Sequence, residues 1–390
     1  MPARYQTIVI GLGGIGSAVL YHMTKLGQGV LGIDQFTVPH PHGSTHGGTR
    51  ITRLANGEGD FHTKLALRSQ ILWKEAQTQV GYELLNQCGG IIVSNNSGGS
   101  FNNTDNYFAQ TLEAAAKFDI AHELWDAKTA AQKYPQLRFQ SEETIYYEPG
   151  SGFLRPEACI KAHLELAQAS GAEVAQRLEV LSIEETAHGI RLQTAQDTLL
   201  ADQVILSAGP WIGKMLPEYG QLFEIIRQIT FWFDVDDWQN FTPGTFPVFI
   251  RPSRHGQKGI YGFPAIDGQS GGIKIASEYL AKPTSTAAID RTVHREEIEE
   301  IYHQDIQPHF NGVSPTCVHA ATCVFTNTPD YGFVIDRHPQ MKSLVIASPC
   351  SGYGFKFAPA LGEVIAQFAL NQKAAPDPER FSLKRLETAS

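Results

Sequence analysis

The chain has 390 residues, 42% of them hydrophobic and 18% charged, which is the mix of a soluble globular protein with two or three units of about 150 residues each. A net charge of -9 speaks against a nucleic-acid partner, whose binding surface is usually basic, while leaving room for a local positive pocket. No apolar run approaches the ~18–20 residues of a membrane helix, and Met1-Pro2-Ala3-Arg4-Tyr5 shows no charged-then-apolar leader. A cytoplasmic protein with no membrane partner is expected.

In chain order, Thr7 to Ile10 is a short β-branched run with the character of a buried parallel strand. It enters Gly11-Leu-Gly13-Gly14-Ile15-Gly16, and an amphipathic helix is expected from Ser17 to Leu26, with Gly27 at its C-terminal cap. Val30 to Ile33 reads as a second strand ending at Asp34. A loop rich in Pro, His and Gly spans Pro39 to Gly48, and a helix is expected from about Thr63 to Thr78. Residues 85–140 read as an insertion, with a polar stretch at Asn95–Asn106. Helix Ile160–Ser170, a strand beginning at Ala172 to Val174 and the buried run Val204 to Ser207 follow. Residues 217–310 carry aromatic-rich strand patterns at Ile229–Val235 and Phe246–Ile250, then a helix near Arg295–His303. Strands at Val334–Ile335 and Leu344–Ile346 and a helix from Ala358 to Leu370 close the chain.

This order predicts an α/β (α+β) protein. Residues 1–84, 141–216 and 311–390 would assemble a Rossmann-like nucleotide-binding domain, and 85–140 and 217–310 a substrate domain with a mixed or antiparallel sheet. A site between the two would follow. The glycine loop supplies the strongest local argument. Gly11 permits the tight strand-to-helix turn, Gly13 lets the backbone approach a pyrophosphate, and Gly16 lets the helix pack on the strand. The helix N-terminus offers free N–H groups to phosphates. Asp34 stands where an acid can reach a ribose hydroxyl. The loop does not separate FAD from NAD.

The cysteines, Cys88, Cys159, Cys317, Cys323 and Cys350, are odd in number and scattered, and none forms a CxxC pair. Neither a disulfide framework nor a metal site is expected.

Five further stretches carry a resemblance. They are Gly43-Ser44-Thr-His46-Gly-Gly-Thr49-Arg50-Ile-Thr-Arg53 with Asn56-Gly-Glu58-Gly, Glu148-Pro-Gly-Ser-Gly152-Phe-Leu-Arg155, Gly271-Gly-Ile-Lys274, Cys323-Val-Phe325-Thr-Asn-Thr-Pro-Asp330 with Phe333-Val-Ile-Asp336, and Ser351-Gly352-Tyr353-Gly354-Phe355-Lys356-Phe. In this order, over nearly the whole chain, they resemble the monomeric sarcosine oxidase and N-methyltryptophan oxidase family. The resemblance implies FAD, a small secondary or N-methyl amino acid as substrate, dioxygen as electron acceptor, hydrogen peroxide as product, and a monomer.

It also implies roles. Arg53 and Lys356 would clamp the substrate carboxylate, a two-pronged guanidinium beside a point charge. Arg50 would sit beside the flavin ring, and Lys274 would activate oxygen. Cys323 would carry the flavin covalently, with Cys317 out of register. Tyr261, Glu278, Phe325 and Tyr353 would line the substrate pocket. Further cofactor contacts would come from Gly43, Ser44, Thr49, Val174, Ala208, Gly209, Asp336, Gly352, Gly354 and Phe355. The family's sarcosine-specific member has histidine, tyrosine and histidine where this chain has Glu278, Phe325 and Tyr353. A longer substrate with a second amine or hydroxyls is therefore open, as for the more distant fructosyl amino acid oxidases, as is a cyclic amino acid. Other readings left open are a flavin dehydrogenase with another acceptor, a nicotinamide-dependent dehydrogenase and a non-catalytic flavoprotein.

Overall fold

A computed structural model of the chain describes residues 2–94, 104–253 and 259–387. Most of the polar stretch at Asn95–Asn106 lies outside the described residues.

Strand β1 (Arg4–Ile10) runs into helix α1 (Gly14–Lys25), which leads back to β2 (Val30–Asp34). The helix begins three residues before the expected Ser17, because Gly14 and Gly16 tolerate the crowded strand-to-helix corner where a side chain would not fit. β1 pairs in parallel with β2 on one side and with strand Thr198–Leu206 on the other. Parallel neighbours Glu173–Gln176 and Leu344–Ser348 flank these. Antiparallel strands Gly189–Thr194, Val180–Thr186 and Val334–Arg337 complete an eight-stranded sheet. The central strands are buried on both faces and read as unbroken apolar runs, as parallel strands do. Helix α1 packs between helices Pro156–Ala169 and Ala358–Ala369 over a core that includes Leu20, Leu164, Leu361 and Ile365.

A nine-stranded, mostly antiparallel sheet forms the other body. Its long strands, Glu224–Val235 and Val313–Asn327, pair along their length beside Ile273–Ser277, Gly259–Phe263 and Val248–Pro252. Gly90–Val93, Thr144–Glu148 and Glu123–Asp126 extend it. Its core is rich in phenylalanine, with Phe231, Phe233, Phe246 and Phe249.

Thr144–Glu148 and Val313–Asn327, which fall in the expected nucleotide-binding pieces, pair in the second sheet. A run of alternating residues can pair with either sheet, and the partner lies far away in sequence. Leu85–Asn86 joins a small sheet with β3 (Arg50–Thr52) and Gly152–Leu154, which holds the loop after β2 against both bodies. The expected Thr63–Thr78 helix extends over Asp60–Val80. The Phe246 strand starts later, at Val248, because Phe246 closes a turn onto Thr242.

Candidate active site

A cavity runs between the two sheets, from Glu179 and Lys214 at one end to Ile250 and Glu278 at the other. At its nucleotide end, Gly11 has φ +87°, and a Cβ there would strike the Ser207 carbonyl. A Cβ on Gly16 would run into the Gly11 carbonyl oxygen, so this position serves helix packing and lies off the cavity wall. Gly13 and Gly14 do line the cavity. A Cβ on Gly13 would meet nothing nearer than Thr45 Oγ1 at 4.0 Å, which leaves space for a ligand to approach the backbone. Helix α1 has no N-cap side chain, and its Gly14 N–H donates to Thr45 Oγ1 at 3.4 Å, a long contact that a phosphate oxygen could replace. Asp34 accepts the Leu12 N–H at 2.8 Å and the Phe36 N–H at 2.9 Å, anchoring the loop while facing the cavity.

Ile15, Ala208 and Gly209 also line this end, with Trp211, Lys214 and Leu178 to Val180, which the sequence reading missed. Val174 does not line it. It pairs with Gly32 inside the sheet and packs on the first core, whereas Leu178, Glu179 and Val180 line the cavity. Asp336 also lies off the cavity, accepting the Leu383 and Arg337 N–H groups.

Gly43, Ser44 and Thr49 border the middle of the cavity. Arg50 donates to the Ser44 carbonyl at 2.6 Å and the Thr49 carbonyl at 2.7 Å, folding its own loop around the guanidinium. Lys274 is only 3% exposed, which excludes an ordinary solvent-facing strand lysine. Its ammonium donates to Gly47 O at 2.7 Å, Thr49 O at 3.1 Å and Thr49 Oγ1 at 3.3 Å. It also lies over the Trp232 and Phe263 rings. Burial and then the Arg50 charge push it well below the usual lysine range.

Cys323 is buried on the Val313–Asn327 strand and faces the cavity, as does Cys350. Burial raises the Cys323 thiol against the opposing pull of Arg50 and Lys274. Cys317 lies off the cavity and donates to the His319 carbonyl at 3.1 Å.

At the far end, Arg53 and Lys356 converge on Glu58. The Arg53 guanidinium donates to both Glu58 oxygens, at 3.0 and 3.1 Å, and to Ala55 O at 2.6 Å, over the Tyr107 ring. Lys356 Nζ stands 4.0 Å from Glu58 and donates to the Tyr353 carbonyl at 3.2 Å. Burial opposes ionisation of Glu58, but Arg53 and then Lys356 hold its carboxyl well below the usual range. Burial pushes Lys356 down to about 7 despite Glu58. Glu58 carries no role expected from the sequence. Its only local signal is an acid between glycines shortly after Arg53.

Tyr261, Glu278, Phe325, Tyr353, Gly352 and Gly354 complete this end, and the Gly259 N–H donates to Glu278 at 3.5 Å. The Phe355 ring packs beside Gly14, linking the near-terminal loop to the glycine turn. Among the described residues no cluster of three or more His, Cys, Asp or Glu could hold a metal. The glycine cradle, the helix N-terminus and the cations of the 43–53 loop suit a dinucleotide.

Comparison with known proteins supports the same assignment. The profile of the FAD dependent oxidoreductase family matches residues 6–368. A monomeric sarcosine oxidase of Streptomyces avermitilis is 36% identical over the full length of both chains. An N-methyl-L-tryptophan oxidase of Salmonella heidelberg is 31% identical, covering 98% of this chain and 99% of its own. Among solved structures, NikD, an unusual amino acid oxidase essential for nikkomycin biosynthesis, superposes with a TM-score of 0.84 at 21% identity over 97% of each chain. A fructosamine oxidase from Aspergillus fumigatus reaches 0.79 at 16% identity, covering 99% of this chain and 91% of its own. These two share the fold. A family match across nearly the whole chain, with full-length relatives above 30% identity, leads to one conclusion: the chain belongs to the FAD dependent oxidoreductase family, alongside the monomeric sarcosine oxidases and N-methyltryptophan oxidases.

Proposed function

We propose that the protein is an FAD-dependent oxidase of a secondary or N-methyl amino acid. The observation that carries this reading is the pair of buried basic side chains, Arg53 and Lys356, on the wall of the same cavity as the glycine cradle. FAD held in this cavity would supply the two-electron acceptor for C–N oxidation, with dioxygen as the final acceptor giving hydrogen peroxide and water hydrolysing the imine product. The protein's own residues do the rest. Arg53 and Lys356 neutralise the substrate carboxylate, which would be very costly to bury unpaired. Glu58 balances the two cations and holds Arg53 in place before substrate arrives. Tyr261, Phe325 and Tyr353 wall the amine into a fixed orientation, which brings the carbon beside nitrogen toward the centre of the cavity. Arg50 and Lys274 put positive charge where negative charge develops on the ring and on oxygen. Gly11, Gly13, Gly14, Ile15, Asp34, Gly43, Ser44, Thr49, Ala208, Gly209 and the Gly352–Lys356 loop hold the cofactor, and Cys323 carries it covalently. Gly16 supports the same cradle through packing.

Glu278 at the cavity end supports a substrate with an amine or hydroxyls beyond its α-carbon, so sarcosine is expected to be a poor substrate. The protein is read as a cytoplasmic monomer. The printed name of a relative supports the monomer.

A peroxide assay across sarcosine, N-methyltryptophan, pipecolate, proline and fructosyl amino acids tests the reading. Peroxide should form fastest with a substrate bearing a polar tail. A protein with bound flavin that releases no peroxide with any of them would overturn the proposal.

A further inference from the structure

Glu157 lies in the first turn of helix Pro156–Ala169 and grips a segment 110 residues away in sequence. One of its oxygens, Oε1, accepts the Gly47 N–H at 2.6 Å and the Gly48 N–H at 3.2 Å. From the other side, Lys274 donates to the Gly47 and Thr49 carbonyls and to the Thr49 hydroxyl. Gly47 and Gly48 have φ of +90° and +78°, conformations that L side chains rarely adopt. The Gly47–Thr49 segment thus has an anion on its N–H side and a cation on its carbonyl side. Hydrogen bonds chained in this way polarise one another. An acid in a first turn also favours the helix dipole, but that does not account for two N–H donors brought from a distant loop.

We propose that Glu157 is the positioning residue for Lys274: by holding the Gly47 and Gly48 N–H groups it fixes the carbonyls to which the ammonium is tied, and so fixes the cation at the cavity wall. This rests on the reading of Lys274 as the cation that serves the oxygen half of the reaction. The charged and titratable groups facing Lys274 come from several elements. Arg50 and His46 lie on the same loop as Gly47, Cys323 on the Val313–Asn327 strand, Asp267 after the Gly259–Phe263 strand, and Glu157 on the helix. His46 is pushed down to about 3 by burial and the neighbouring cations, so it is neutral at working pH. Arg50 opposes the Lys274 charge, whereas Cys323, Glu157 and Asp267 favour it.

The test compares wild-type holoenzyme with Glu157→Gln, Glu157→Ala, Lys274→Met and Glu157→Ala combined with Lys274→Met. Hydrogen exchange by mass spectrometry reads the Gly47–Gly48 amides directly, and stopped-flow absorbance follows substrate reduction and air reoxidation of the flavin across pH. Glu157→Ala should raise deuterium uptake at these amides. It should also slow reoxidation roughly ten- to a hundredfold, the worth of a charged hydrogen bond, with reduction changed by less than about twofold. Added to Lys274→Met, it should slow reoxidation no further. Glu157→Gln keeps an acceptor oxygen but loses the charge, so it should preserve exchange protection and move the pH midpoint of reoxidation lower. Normal reoxidation in Glu157→Ala when Lys274→Met is slow overturns this inference alone, as does full additivity of the two or an unmoved midpoint in Glu157→Gln. Normal reoxidation in Lys274→Met overturns the oxygen role of Lys274 and this inference with it. If Glu157→Ala does not fold, the Glu157→Gln midpoint decides.

Discussion

Replacing Arg53 with Met should produce two separable losses. The first is in stability. Arg53 and Glu58 are each 4% exposed in their side chains, so water screens their interaction little. Without Arg53, the Lys356 ammonium remains near Glu58 but at 4.0 Å, beyond hydrogen-bonding distance. Breaking one side of a buried pair costs about 3–5 kcal/mol, because it leaves a charge behind. Arg53→Met combined with Glu58→Gln leaves no orphaned carboxylate and should recover much of that loss. The second loss is kinetic. A substrate carboxylate held by Lys356 alone loses on the order of 2–5 kcal/mol, or roughly thirty- to several-thousand-fold in kcat/KM. Arg53→Lys should lose activity as well, since an ammonium cannot make the planar two-pronged contact. Urea unfolding of the holoenzyme measures the first effect. The second is read from kinetics with an N-methyl amino acid and with a secondary amine of matched size lacking the carboxylate, after flavin content is shown to be unchanged. The amine without a carboxylate should be a poor substrate for wild type and nearly indifferent to Arg53→Met or Lys356→Met. An equal fall for both substrate classes would refute the clamp, and a double variant no more stable than Arg53→Met would refute the buried pair.

Cys323→Ser should release its flavin into the supernatant on acid precipitation, whereas wild type should keep the colour in the pellet; colour retained by the variant would move the attachment elsewhere. Gly16→Ala should destabilise the whole protein, because the new methyl group meets the Gly11 carbonyl, whereas Gly13→Ala should fold normally and lose flavin affinity. Melting curves and flavin-to-protein absorbance ratios separate these outcomes, and equal behaviour of the two variants would contradict the cradle geometry. Glu58 titrates in the folded protein well below its ordinary value of 4.5, so the stability it contributes is whole above 4.5, starts to be lost below it, and is gone only once pH falls through the folded-state value. Between about pH 5 and 3.5 the wild-type melting temperature should therefore fall more steeply than that of Glu58→Gln, and parallel slopes would count against the pairing.

The glycine turn was legible from the sequence because its constraints are local: Gly11 and Gly16 meet backbone within the same strand–turn–helix unit or the adjoining strand end. Lys274 was not legible in that way. A lysine flanked by isoleucines reads equally as an edge residue in water, and only the distant Gly47–Thr49 carbonyls and the Trp232 and Phe263 rings show why it is buried. Arg53, Lys356 and Cys323 were singled out through resemblance, and the structure places all three on the cavity wall without testing their roles. That Val313–Asn327 pairs with Glu224–Val235 is not legible in the sequence, because strand pairing is set by non-local register, which no short window contains. Glu58 and Glu157 were left without roles for the same reason. An acid's partners are invisible in sequence until the loops that carry them are brought together.

The most direct test of the central claim is the absorbance of the purified yellow protein mixed anaerobically with N-methyl amino acids and then exposed to air. The account predicts that the flavin band bleaches with at least one of them, and that air restores the colour with release of one equivalent of hydrogen peroxide. A band that no secondary or N-methyl amino acid bleaches would contradict the proposed substrate class, and a bleached band that air fails to restore would contradict its assignment as an oxidase.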